Sequence, residues 1–111
     1  MDFSARRYGD RTIVALAGDI DVETSPRLRE FLVGLVDENA RHLVIDLDDV
    51  DFLDSTGLGV LIGVFHRLGA SNGSMALAGG SAAVRGVFHI TQLTKVFALH
   101  DSLDQALLPA R

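Results

Sequence analysis

The chain has 111 residues, 48% of them hydrophobic, with fifteen acidic and ten basic side chains, a net charge of −5 at pH 7 and no cysteine. That apolar content excludes a disordered chain, and the missing cysteines exclude disulfides and thiolate metal sites and fit a reducing compartment. The acidic balance, with its basic residues scattered, argues against nucleic acid, whose binding needs clustered Lys and Arg.

One domain, residues 1–111, is expected at this length. The start, "MDFSARRYGDR", has no apolar core of a signal peptide, and the longest apolar stretch, Leu58 to Phe65, is far too short to cross a bilayer. A cytoplasmic domain without a membrane or nucleic-acid partner is the expectation. In chain order, "DFSARRY" reads as a weak antiparallel strand joined at Gly9-Asp10 to a second strand, "RTIVALAG", residues 11–18. In "TSPRLREFLVGLVDENA", Ser25 is positioned to cap a helix and Pro26 suits its first position. Leu28, Phe31, Leu32, Leu35 and Val36 then keep the spacing of a one-sided helix.

The run "HLVIDL", residues 42–47, predicts a central strand covered on both faces. A long helix follows from Ser55 to Gly69, with Leu58, Leu61, Ile62, Phe65 and Leu68 on one side. "SMALAG", residues 74–79, is a short strand, and Ser81 to Ile90 a modest helix. A last strand is expected near "KVFAL", and Ser102 caps a final helix, "LDQALL", ended by Pro109. Strands alternating with helices predict an α/β fold: a mostly parallel sheet of four to five strands, the first antiparallel, with about four helices.

Sites in such sheets form where strand ends feed helix N-termini. Two segments qualify, "GDIDVETSP" and "DLDDVDFLDSTG", and they hold Asp19, Asp21, Glu23, Asp46, Asp48, Asp49, Asp51 and Asp54. A run of acids is usually a solvated rim. The stretch "DSTGLG" asks for more. As a helix cap, Ser55 would be worth about 1 kcal/mol, which explains neither Thr56 nor the glycines. Each glycine inside a helix costs roughly 0.8–1 kcal/mol against alanine. Close packing against the sheet accounts for Gly63, whereas Gly57 and Gly59 suggest bare backbone that another molecule can approach.

A serine nucleophile needs a nearby base and an orienting group, and none of His42, His66, His89 and His100 falls in the two acidic segments. The stretch lacks the Gly-x-Ser-x-Gly elbow, so an enzyme is not expected and no catalytic residue is assigned. The acids lack the spacing of a calcium loop, and no P-loop or dinucleotide glycine motif is present. No metal and no cofactor are expected. What remains is phosphoryl acceptance at Ser55. A phosphate there brings about −1.5 to −2 charges, held by free amides at the helix N-terminus and opposed by the neighbouring carboxylates.

"DSTGLGVL", preceded by "HLVIDL" and by "GDIDVETSP" on the earlier loop, resembles the STAS domain, specifically the stand-alone bacterial anti-sigma-factor antagonists. The likeness spans nearly the whole chain in length and element order. It implies a protein that, unphosphorylated, binds an anti-sigma factor that is also a serine kinase, so releasing the sigma factor. Phosphorylation by that kinase ends the interaction and a serine phosphatase resets it. By position, Ser55 matches the phosphoacceptor, Asp54 the adjoining acid, Asp21 the acid of the first loop and Thr56 the second hydroxyl. Gly57, Leu58 and Gly59, with Thr24 of the first loop, complete the implied partner-binding set. Monomer and weak dimer are both compatible with it. The alternatives are a small-anion or lipid-headgroup module using the same helix end, a subunit of a larger stress-signalling complex, and, third, an enzyme.

Overall fold

The computed structural model describes residues 1–108. Five strands form one sheet in the order β1 (Asp2–Tyr8), β2 (Arg11–Ile20), β3 (His42–Leu53), β4 (Ser74–Ala78) and β5 (Ala98–His100). β1 and β2 are antiparallel and every later neighbour is parallel, as expected. Because each parallel strand is added beside the last, right-handed crossovers put the connecting helices on one face. These are α1 (Ser25–Asp37), α2 (Ser55–Gly69) and α3 (Ala82–Ile90).

The core lies between those helices and the sheet. Val14, Leu16, Ile20, Leu43, Ile45 and Leu47 meet Leu28, Leu32, Leu61, Leu68, Val84 and Phe88 there, each 2% exposed or less. Burying one such side chain contributes roughly 1.5–3 kcal/mol. Phe97 joins them and packs edge-on against Phe65, with ring centroids 5.2 Å apart. The short α4 (Leu103–Ala106) covers part of the other face, where Ala106 meets Val44 and Ala78. Val44 and Ile45 are therefore both buried, on opposite faces, as the unbroken apolar run predicts.

Several boundaries differ from the sequence reading, each for a physical reason. β3 runs on to Leu53 and β2 to Ile20, so most of the second supposed acidic loop and the start of the first are strand. Two register shifts, between Ala15 and Ala17 and between Gly18 and Asp19, allow this. At each, β3 carries one more residue than β2, which keeps Val50 and Leu53 inward and breaks the period-two pattern. The expected strand near "KVFAL" shrinks to Ala98–His100. Leu93–Lys95 is a 3-10 turn, entered through Gln92 at φ 62°. Ser102 caps α4 as expected, accepting from the amide of Gln105, and Ser81, expected as the first residue of α3, is its cap instead, accepting from the amide of Val84. The expected stop at Pro109 lies outside the described residues.

Candidate functional site

The C-terminal ends of β2 and β3 lie side by side, and the amide of Asp54 donates to the carbonyl of Ile20 at 3.2 Å. The loop after β2 and the start of α2 therefore form one rim. The loop is folded by its own polar groups. Asp21 Oδ1 accepts from the amides of Glu23 and Thr24 at 2.9 and 3.1 Å. The Thr24 hydroxyl accepts from the amide of Asp21 and donates to the carbonyl of Asp19, both at 2.9 Å. Asp and Thr suit such a turn because their short side chains reach the backbone two or three residues on. Asp21 and Thr24 thus lie on the expected rim, but both are spent on shaping it.

α2 is not capped by Ser55. Asp54 is the cap: with φ −112° and ψ −173°, its carboxylate accepts from the amides of Thr56 and Gly57 at 2.9 and 3.4 Å. Thr56 adds a short hydrogen bond from its hydroxyl to the same oxygen. That side-chain bond is the main cause that holds the Asp54 carboxyl below its ordinary value; burial opposes it, and the two backbone amides add to the lowering. Nor does Ser25 cap α1. It is 5% exposed, and its hydroxyl donates to Thr56 Oγ1 at 3.0 Å, stitching the first turns of α1 and α2 together.

Two consequences follow for chemistry. Ser55 becomes the first residue of α2, exposed, with its hydroxyl outside the hydrogen bonds that engage Asp54, Thr56 and Ser25. Two of the amides expected to hold an anion at this helix mouth, those of Thr56 and Gly57, are already answered by the Asp54 carboxylate, which counts against a small-anion pocket there.

The glycines also change roles. Gly57 is buried, and a Cβ on it would come within 2.6 Å of Leu53 Cδ1 and closer still to Ile20 Cγ2. It is the close-packing glycine, not bare surface. Gly63, expected to pack closely, is exposed with open space around it, as is Gly59. Leu58 is 7% exposed and belongs to the core. From the expected contact set, Ser55 and Gly59 face outward, Asp21, Thr24, Asp54 and Thr56 are half-buried, and Gly57 and Leu58 are withdrawn.

His42 begins β3, and His66 and His89 sit near the ends of α2 and α3, all at the opposite edge of the sheet. His100 ends β5, two strands away from β3. Among the described residues, no group of three His, Asp or Glu side chains could hold a metal ion, and no helix is long and apolar enough to cross a membrane.

Thr56→Val tests this framework. It would leave the buried Ser25 hydroxyl without a partner, at a cost of about 1–3 kcal/mol, read as a lower urea midpoint. Ser25→Ala in the same chain should restore much of the loss. The pH response has a definite sign. A carboxyl held low in the folded state contributes stability above its unfolded pKa, near 3.8, and loses it as pH falls through the lower folded value. Thr56→Val should flatten this acid limb in urea titrations between pH 5 and about 2. An unchanged limb would show that Thr56 does not stabilise the Asp54 anion.

Sequence reasoning missed the Ser25–Thr56 link and two exposed apolar residues on the same rim, Val22 at 68% and Phe52 at 49%. The sequence carried no signal for Phe52: simple alternation from Val50 would turn it inward, and only the register shift between Val50 and Phe52 puts Leu53 there instead.

Comparison with known proteins agrees with this architecture. The STAS domain family model matches residues 2–106. The anti-sigma-B factor antagonist of Bacillus subtilis is 43% identical over 83 residues, 75% of each chain. That of Staphylococcus aureus is 29% identical over 91 residues, covering 82% of this chain and 84% of the other. A crystal structure of an anti-sigma factor antagonist from Mycobacterium paratuberculosis superposes with a TM-score of 0.88. It is 32% identical and covers 96% of this chain and 90% of its own. A mixed five-stranded sheet with α1, α2 and α3 on one face, the Asp54-Ser55-Thr56 junction and a family match over nearly the full length lead to one conclusion: this chain belongs to the STAS domain family.

Proposed function

We propose that this chain is an anti-sigma-factor antagonist, a single STAS domain over residues 1–111 that works by binding and not by catalysis, in the cytoplasm. Unphosphorylated, it binds an anti-sigma factor with serine kinase activity and so frees the sigma factor. The kinase transfers the γ-phosphoryl of ATP to Ser55 Oγ, forming the new P–O bond as the bond to ADP breaks. A serine phosphatase returns the hydroxyl. The names of the Bacillus and Staphylococcus relatives support the antagonist role.

The observation that carries the reading is the division of labour at the start of α2. Asp54 and Thr56 are committed to the fold, while Ser55 between them is exposed. Since Asp54 answers the helix amides, a phosphate on Ser55 stands outside the helix mouth, beside a carboxylate held ionised. An added charge of about −1.5 to −2 in that place would be desolvated by any protein seated over it, which opposes docking without unfolding the domain.

The test is incubation with the anti-sigma factor kinase and ATP, followed by peptide mass spectrometry. One phosphate on Ser55, none on Thr56 and none on a Ser55→Ala variant is expected. Phosphate elsewhere, or equal modification of Ser55→Ala, overturns the assignment.

A further inference from the structure

Of the six large hydrophobic side chains exposed among the described residues, Val22 and Phe52 sit on the rim that carries Ser55. Phe52 pairs with Asp19 across the β2–β3 ladder, and Val22 follows two residues after Ile20, whose carbonyl receives the Asp54 amide. Val50 and Leu53 fill the core beneath α2, so Phe52 is turned to the sheet face away from the helices. Aromatic side chains left half in water at a functional edge are the usual anchors of protein interfaces.

The charge around Phe52 is one-sided, whereas Arg29 lines the hollow that Val22 shares with Ser25 and Thr56 on the helix side. Residues 12–26 and 42–66 contain no Lys or Arg. Asp19, Glu23, Asp49 and Asp51 are exposed, and neither ion pair among the described residues, Arg11–Asp10 and Arg85–Asp101, involves them. A second copy of this chain would bring the same acids face to face, which like-charge repulsion opposes.

Building on the function proposed above, we infer that the anti-sigma factor docks over the rim from Ser55 to Val22 and Phe52. It inserts an apolar pocket over Phe52 and meets Asp19, Asp49 and Asp51 with basic side chains. Such an arrangement splits the work: the acids speed encounter and make it salt-sensitive, while the buried ring slows dissociation. It also separates attraction from switching. The acids lie on the sheet side of the rim and the phosphate appears on the helix side.

The experiment is stopped-flow binding of the purified full chain to the anti-sigma factor of its own genome, from about 50 to 500 mM salt. Phe52→Ala should weaken affinity about tenfold or more, mainly through faster dissociation. The Asp49→Asn, Asp51→Asn double variant should slow association several-fold and flatten its salt dependence. Ile90→Ala, an exposed apolar residue at the far end of α3, should bind as the parent does. Circular dichroism and melting curves establish that each variant folds. Parent-like binding by Phe52→Ala and the double variant, while Ser55→Asp fails to bind, would overturn the inference and leave the proposed function standing. Failure of the parent chain to bind any anti-sigma factor would overturn both. A parent homodimer that Phe52→Ala dissolves would assign the patch to a second copy and overturn it as well.

Discussion

Ser55→Asp is expected to weaken binding to the anti-sigma factor by about 30-fold or more in isothermal titration calorimetry, with the melting temperature unchanged or slightly raised. The two effects have different origins. Within the domain, an acid in the first turn of α2 faces the positive end of the helix dipole, worth about 0.3–1 kcal/mol in its favour at an exposed position. In the complex, the same carboxylate is enclosed without a partner, and an unpaired interfacial charge costs about 2–5 kcal/mol or more. The upper part of that range corresponds to thousandfold losses. Ser55→Ala is the complementary variant. It removes the phosphoacceptor and keeps the shape, so it should bind as the parent does and resist release by ATP. Unchanged affinity of Ser55→Asp would place Ser55 outside the contact.

Gly57→Val should be the most damaging single change on the rim. A Cβ at Gly57 lands 2.6 Å from Leu53 Cδ1, and Ile20, the other obstacle, is fully buried and has no room to turn away. Overpacking of this kind costs about 1–3 kcal/mol, and the two γ-methyls of valine place the loss at the upper end. At about 4–8 °C per kcal/mol for a chain of this size, the midpoint should fall by roughly 10 °C or more. Relief of the clash would lift the first turn of α2 from the sheet, moving Ser55 and the Asp54 cap with it, so phosphorylation and binding should decline together. Gly59→Ala is the contrast. Its added methyl meets nothing within 4 Å, and a helical glycine gives up about 0.8–1 kcal/mol against alanine, so that variant should melt higher. Weaker partner binding by the more stable Gly59→Ala would mark Gly59 as a contact residue. Equal melting losses for both variants would refute the packing account of Gly57.

Much of the fold was legible in the order of residues. Antiparallel "DFSARRY", the buried run from Leu43 to Leu47, the α2 span from Ser55 to Gly69 and the cap at Ser102 all stand where local patterns put them. These features depend on neighbours within a turn or on simple periodicity. The extension of β3 to Leu53 was not legible, because two register shifts place Val50 and Leu53 inward three residues apart and disguise a strand as an acidic loop. The glycines of α2 were misread for a related reason. Helical position says which way a Cβ would point only after the helix has been laid against its sheet, and that contact is made by Ile20, 37 positions before Gly57.

The site divides in the same way. By itself the sequence determined that a hydroxyl pair behind an acid opens a glycine-spaced helix, with no histidine nearby in the chain and with the pattern of the STAS family. Only the tertiary structure decided which hydroxyl is free. Asp54 takes the capping role that Ser55 could have filled, Ser25 reaches 31 residues along the chain to engage Thr56, and Ser55 is left facing solvent. The physical reason is competition: several side chains within reach can satisfy the same few helix-end donors. Which of them does so depends on the relative placement of two strands and two helices that no local segment specifies.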